Sequence, residues 1–97
     1  MLLDITITLV DKDIYEKAGQ LRYVIKDKHA EIFDTYLFPE YRRQKIMSNL
    51  VKKIISELKI YGISKVILKY FDEDARAAWE RMGFRNVGKE GNMELDI

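Results

Sequence analysis

The segment PEYRRQKIMSNL, residues 39–50, gathers Arg42, Arg43 and Lys45 at the start of an amphipathic stretch. The first turn of a helix has N–H groups without intrahelical partners and carries a partial positive charge, so it favours an anion. Cations added there oppose the dipole unless an anion joins them. From Tyr41 to Lys59 six cations (Arg42, Arg43, Lys45, Lys52, Lys53, Lys59) stand against one anion, Glu57, a local balance of +5. The whole chain sums to +1, so the remainder carries −4, and an anion-binding surface belongs on this segment. The plainer alternative is that these cations only solvate the first turns of the helix. No cysteine occurs among the 97 residues, which removes thiol nucleophiles, thiolate zinc sites and disulfides and suits a reducing, cytoplasmic setting.

The elements that must position this loop follow from periodicity. "ITITLV" alternates Ile5, Ile7 and Leu9 with threonines, the period of a half-buried strand. "QLRYVI" and "AEIFDTYLF" read as two further strands joined by a polar turn at "KDK", with "DKDIYEKAG" as the connection after the first strand. Met47, Leu50, Val51, Ile54, Ile55 and Leu58 form one apolar stripe over three helical turns, and Gly62 supplies a left-handed stop. The nearly continuous "KVILKYF" predicts a strand covered on both faces, parallel to residues 31–38, with residues 65–71 alongside. Asp72 caps a short helix whose Ala75, Ala78, Trp79 and Met82 share a face, and Gly83 ends it. "FRNV" and "NMELDI" close the chain as a hairpin around "GKEG". The expected fold is a single α/β domain over residues 1–97. Its sheet is mixed and mainly antiparallel, with one parallel βαβ crossover and the order βββαβαβ(β). No apolar run is long enough to span a membrane, and the N-terminus lacks the pattern of a signal peptide, so a cytoplasmic location is expected. In such a sheet the ligand crevice lies beyond the carboxyl ends of the parallel strands, which here is the loop from Phe38 to Met47.

"YLFPEYRRQKIMSNLV" resembles the pyrophosphate-binding signature of the GNAT superfamily of acyl-CoA-dependent N-acyltransferases. "DEDARAAWERMGF" is similar to that family's second signature, a helix with alanine and an aromatic-Glu pair ending in Gly-Phe. The resemblance covers about residues 20–97 and implies a GNAT-like fold without the usual N-terminal helices. It also implies acetyl-CoA as acyl donor. On that basis the strand backbone around Leu37 holds the pantetheine, and the amides and side chains of Arg42, Arg43, Gln44, Lys45, Ile46, Met47 and Ser48 hold the pyrophosphate.

An attacking ammonium with a pKa near ~10.4 must lose a proton first. In the histone-acetylating branch of the family a strand glutamate takes it. Glu31 stands eleven residues before Arg42, the same offset, and the resemblance makes it the candidate base. His29 and Asp34 are alternatives on the same strand.

The sequence departs from the family pattern at several positions. Lys45 and Met47 replace the small residues of the phosphate loop, where glycine lets the backbone come close and adopt unusual φ and ψ. Either these side chains block the approach, or they point away and the Lys45 ammonium adds charge to the grip. Trp79 replaces the tyrosine that serves many relatives as general acid. Indole cannot give up its proton, although a thiol near ~8.5 leaves tolerably as thiolate. Asp72 replaces the usual asparagine. "DKDIYEKAG" is too short for the helices that wall the acceptor site elsewhere, so the cleft is either open or completed by another chain, such as a second copy. Three readings follow: an acetyltransferase acting on an amine of a small molecule or protein, a GNAT-shaped binding or regulatory module, and nucleic-acid binding by the basic helix face of residues 42–59. No base-reading motif supports the third.

Overall fold

The computed structural model describes residues 2–11, 14–42, 45–88 and 91–97. Strands β1 (Leu2–Asp11), β2 (Ile14–Lys26) and β3 (His29–Leu37) form an antiparallel meander. Helix α1 (Ile46–Ile60) then crosses over to β4 (Lys65–Lys69), which pairs parallel to β3. Helix α2 (Glu73–Arg81) leads to β5 (Arg85–Asn86) and β6 (Asn92–Asp96), and β6 inserts between β4 and β5. The sheet order is β1-β2-β3-β4-β6-β5, mixed and mainly antiparallel, as the periodicity predicts.

Each element ends for a local reason. The β2–β3 turn is tight, with Lys26 opposite His29 and Asp27 at φ 53. Gly62, at φ 79, closes α1, its N–H donating to the Lys59 carbonyl while that of Ile63 donates to Leu58. The Asp72 carboxylate caps α2 by accepting from the Ala75 N–H at 2.7 Å. Gly83, at φ 102, ends that helix.

The helices share one face of the sheet. Leu21, Tyr23, Ala30, Ile32, Val66, Leu68 and Met93 point to it and bury against Val51, Ile54 and Leu58 of α1, Trp79 of α2 and Phe84. Burying an aliphatic side chain of this kind contributes about 1.5–3 kcal/mol relative to exposure, so this single layer holds the domain together. The opposite face, with Glu31, Phe33, Ile67 and Glu94, has no helix over it among the described residues.

Three expectations are corrected here. "DKDIYEKAG" is not a connection: β1 and β2 stay paired out to Asp11 opposite Ile14, so residues 14–19 are strand. Among the described residues β4 is covered on one face only, with Val66 and Leu68 buried and Ile67 half-buried, because both helices pack on the same side. The parallel pairing is also shorter than residues 31–38 beside 65–71. It runs from His29 opposite Lys65 to Ile32 opposite Leu68 and stops there.

Candidate functional site

The early end of that ladder makes the site. Between Gln20 and Arg22 of β2 the register with β3 shifts, from Gln20 opposite Tyr36 to Arg22 opposite Phe33. β3 therefore carries one extra residue there, a β-bulge, and Asp34 within it has φ 49. A bulge bends its strand and interrupts pairing. Past Ile32 the two parallel strands separate, leaving a cleft of about 470 Å³. Residues 31–35 of β3 form one wall; Leu68, Lys69, Tyr70, Phe71 and Asp72 form the other, with Ala75 and Trp79 of α2 beneath. In this stretch β3 has no strand partner on its β4 side among the described residues, so its edge is free to bond an extended ligand. Phe71, 90% exposed, stands on the rim.

From the cleft β3 leads to the loop predicted to bind an anion. The Phe38 N–H donates to the Ala18 carbonyl at 2.8 Å, and the chain turns through a single 3-10 turn, Pro39–Tyr41. Arg42 is tied back: its Nε donates to the Leu37 carbonyl at 2.9 Å and its guanidinium lies 5.6 Å from the centre of the Tyr36 ring. Lys45, exposed, precedes α1 with φ 61 and ψ 15, the left-handed conformation. Its carbonyl accepts the first helical bond, from Asn49, and the N–H groups of Ile46, Met47 and Ser48 have no partner among the described residues. No acidic side chain occupies that first turn. The backbone thus takes at Lys45 the conformation that glycine usually provides, and Met47 packs against the core rather than into the loop. Arg43 and Gln44 lie outside the described residues.

The structure does not gather all predicted residues in one cavity. Leu37 lies beyond the cleft lining, its carbonyl engaged by Arg42, and the start of α1 is separate from the cleft. Glu31 and Leu37 are six residues apart on β3, about 20 Å at roughly 3.3 Å per residue, so one ligand touching both regions must be long and extended.

Glu31 occupies a junction. Besides the cleft it lines a second concavity of about 580 Å³ over the uncovered sheet face, with Ile67, Lys69, Val87, Asn92 and Glu94. Glu94 is held by Arg85 at 2.8 Å and Lys65 at 3.5 Å, whereas the Glu31 carboxylate has no ion-pair or hydrogen-bond partner among the described residues. Asp34 is instead paired with Arg22 at 3.1 Å, and His29 lies at the far end of the strand, at the β2–β3 turn. Of the three candidate bases, only Glu31 faces both cavities. Trp79 is at once core and wall: it is buried, edge-on to Phe84 at 5.2 Å, and lines the cleft. Sequence reasoning missed the bulge at Asp34 and the wall residues Tyr70 and Phe71. The aspartate was the available signal, since Asp tolerates left-handed φ better than most residues.

A model of the acetyltransferase (GNAT) family matches residues 5–84. The chain belongs to the GNAT family. Solved structures of the same fold include a PaiA N-acetyltransferase from Thermoplasma acidophilum in complex with coenzyme A (22% identity, TM-score 0.81), of which this protein covers 61% with 99% of its own length. A domain from Methanocaldococcus jannaschii matches at 18% identity and TM-score 0.84, covering 99% of this chain and 67% of that one. The ribosomal-protein-S18-alanine N-acetyltransferase from Escherichia coli matches at 22% identity and TM-score 0.79, covering 99% and 69%. This GNAT chain thus spans about two thirds of the length of the structures it resembles. No curated protein sequence matches it.

Proposed function

We propose that this GNAT protein transfers an acetyl group from acetyl-CoA to an amine by direct attack on the thioester. The observation that carries this reading is the position of Glu31, which lines both the split between β3 and β4 and the concavity on the uncovered face. The free β3 edge at residues 33–35 aligns the pantetheine arm. The α1 amides of Ile46, Met47 and Ser48, with Lys45 and the neighbouring Arg42, Arg43 and Gln44, hold the pyrophosphate. The amine enters from the uncovered face, and Glu31 accepts its proton, directly or through a water. Nitrogen then bonds to the acyl carbon as the carbon–sulfur bond breaks, the surplus proton on nitrogen passes to solvent, and the thiolate leaves without an acid, which a thiol pKa near ~8.5 allows. The concavity is open enough for a protein tail or a polyamine, and a second copy of the chain is the partner that would close it.

Titration with acetyl-CoA, followed by calorimetry and amide NMR, tests the reading. Saturable binding that shifts residues 31–35 and 45–48 supports it; a flat titration at millimolar donor removes it. Glu31→Gln should lower turnover by roughly 10²-fold or more with unchanged donor affinity, and unaltered turnover strikes Glu31 from the role. A donor-binding module without turnover is the second reading. It is favoured by Trp79, buried where many relatives keep an ionisable phenol; acetyl transfer in any amine screen excludes it.

A further inference from the structure

We propose that Arg22 is a positioning residue that fixes the β3 bulge and so keeps the mouth of the cleft open; this rests on reading the cleft as the acyl-donor site. Arg22 sits on β2 opposite Phe33, at the register shift itself. Its Nη1 donates to the Asp34 carboxylate at 3.1 Å, and its guanidinium carbon lies 5.2 Å from the centre of the Phe33 ring. Its Nε lies 3.7 Å from a carboxylate oxygen of Asp4 on β1, too long for a hydrogen bond, and is buried with no hydrogen-bond partner. One side chain on the uncovered face therefore spans three strands and grips the two residues at which β3 turns away from β4.

A non-glycine residue in the left-handed region persists only where its surroundings over-determine it. Asp34, at φ 49, is in that position. Without the bulge β3 would continue alongside β4, and the next pair after Ile32 and Leu68 would set Phe33 opposite Lys69, across the space that is now cleft. An unsatisfied buried nitrogen is unfavourable in itself. That Arg22 keeps one fits a guanidinium placed to hold Phe33 and Asp34 rather than to satisfy its own donors. Partly exposed ion pairs add little to global stability, so effects on the site and effects on folding can be separated.

The test uses the full chain, titrated with coenzyme A by calorimetry and observed without ligand by NMR. Arg22→Ala should weaken coenzyme A binding roughly tenfold, the combined effect of losing the Asp34 ion pair and the contact with the Phe33 ring. It should also move the Asp34 backbone couplings and carbon shifts from left-handed to extended values. Adding Asp34→Gly to Arg22→Ala removes the steric penalty of left-handed φ and should restore affinity to within about threefold. Should Arg22→Ala not fold, Asp34→Ala, which deletes the carboxylate and keeps Arg22 over Phe33, should show a smaller loss in the same direction. Wild-type affinity in Arg22→Ala, or a loss that Asp34→Gly does not restore, overturns the proposal. A wild-type chain that fails to bind coenzyme A overturns the donor-site reading instead. In that case left-handed Asp34 signals persisting in ligand-free Arg22→Ala still refute the role given to Arg22, and extended values support it.

Discussion

Replacing Lys45 by glycine should make the protein more stable while weakening its hold on the donor. Lys45 has φ 61 and ψ 15, is exposed, and makes no side-chain cap bond, so its substitution deletes no contact seen in the fold. An L-residue in the left-handed region costs about 1–2 kcal/mol because Cβ crowds the following carbonyl. Glycine removes that cost but gives the unfolded chain more freedom, returning about 0.4–1 kcal/mol. Removing a cation from the start of α1 adds a few tenths of a kcal/mol in favour of folding. The net gain is about 1 kcal/mol, which in a domain of this size raises Tm by about 4–8 °C. Lys45→Ala keeps Cβ and loses only the charge, so it should gain a few tenths of a kcal/mol at most.

The two variants separate backbone from charge. Both lose the ammonium and should bind coenzyme A more weakly at low ionic strength, the difference from wild type shrinking as salt is added. Urea unfolding and calorimetry on the three proteins give both quantities. A glycine variant no more stable than the alanine variant refutes the conformational argument. An alanine variant that binds more tightly than wild type shows that the lysine obstructs the loop.

Gly19 pairs with Leu37 across the β2–β3 ladder so closely that a Cβ would stand 2.1 Å from the Tyr36 carbonyl oxygen and 2.9 Å from the Leu37 Cα. Both obstacles are backbone, so Gly19→Ala must part the strands and should cost about 1–3 kcal/mol or more in urea unfolding; a neutral result would disprove the close approach. Asp72→Ala removes the α2 cap and should cost about 1 kcal/mol, read as a fall in Tm, and a loss within error would mean that the 2.7 Å bond contributes nothing. Tyr23 has its phenol pKa raised above 10.0, first by burial, then by the nearby Glu57 and Tyr61. The folded state favours the neutral phenol, so this contribution is complete below pH ~10 and is lost as pH rises through the higher folded pKa. Tyr23→Phe should therefore flatten the alkaline fall in unfolding free energy; an identical slope in both proteins would refute the shift.

What was legible in the sequence was what is decided locally. The apolar stripe of α1, the stop at Gly62 and the cap at Asp72 depend on residues within a turn or two of one another, and each stands where periodicity places it. The stretch containing Ile14 to Gly19 was not legible as strand because its pairing with β1 is a property of two segments together, and its charged residues hide the alternation. The bulge was not legible for the same reason. One extra residue in β3 exists only by comparison with β2, yet it sets where the cleft begins.

The loop before α1 shows the opposite case, in which the residue types mislead and the conformation does not. A glycine in a motif records the residue that most cheaply adopts a left-handed φ or a close approach. The fold itself requires the dihedral angle. Lys45 meets that requirement at φ 61, so the α1 amides are presented as a glycine would present them, and the departure at this position is one of conformational cost and added charge rather than of geometry. On the proposed donor site, the substitution should therefore alter how strongly the loop binds and how steeply that binding depends on salt, while leaving the direction from which an anion approaches unchanged.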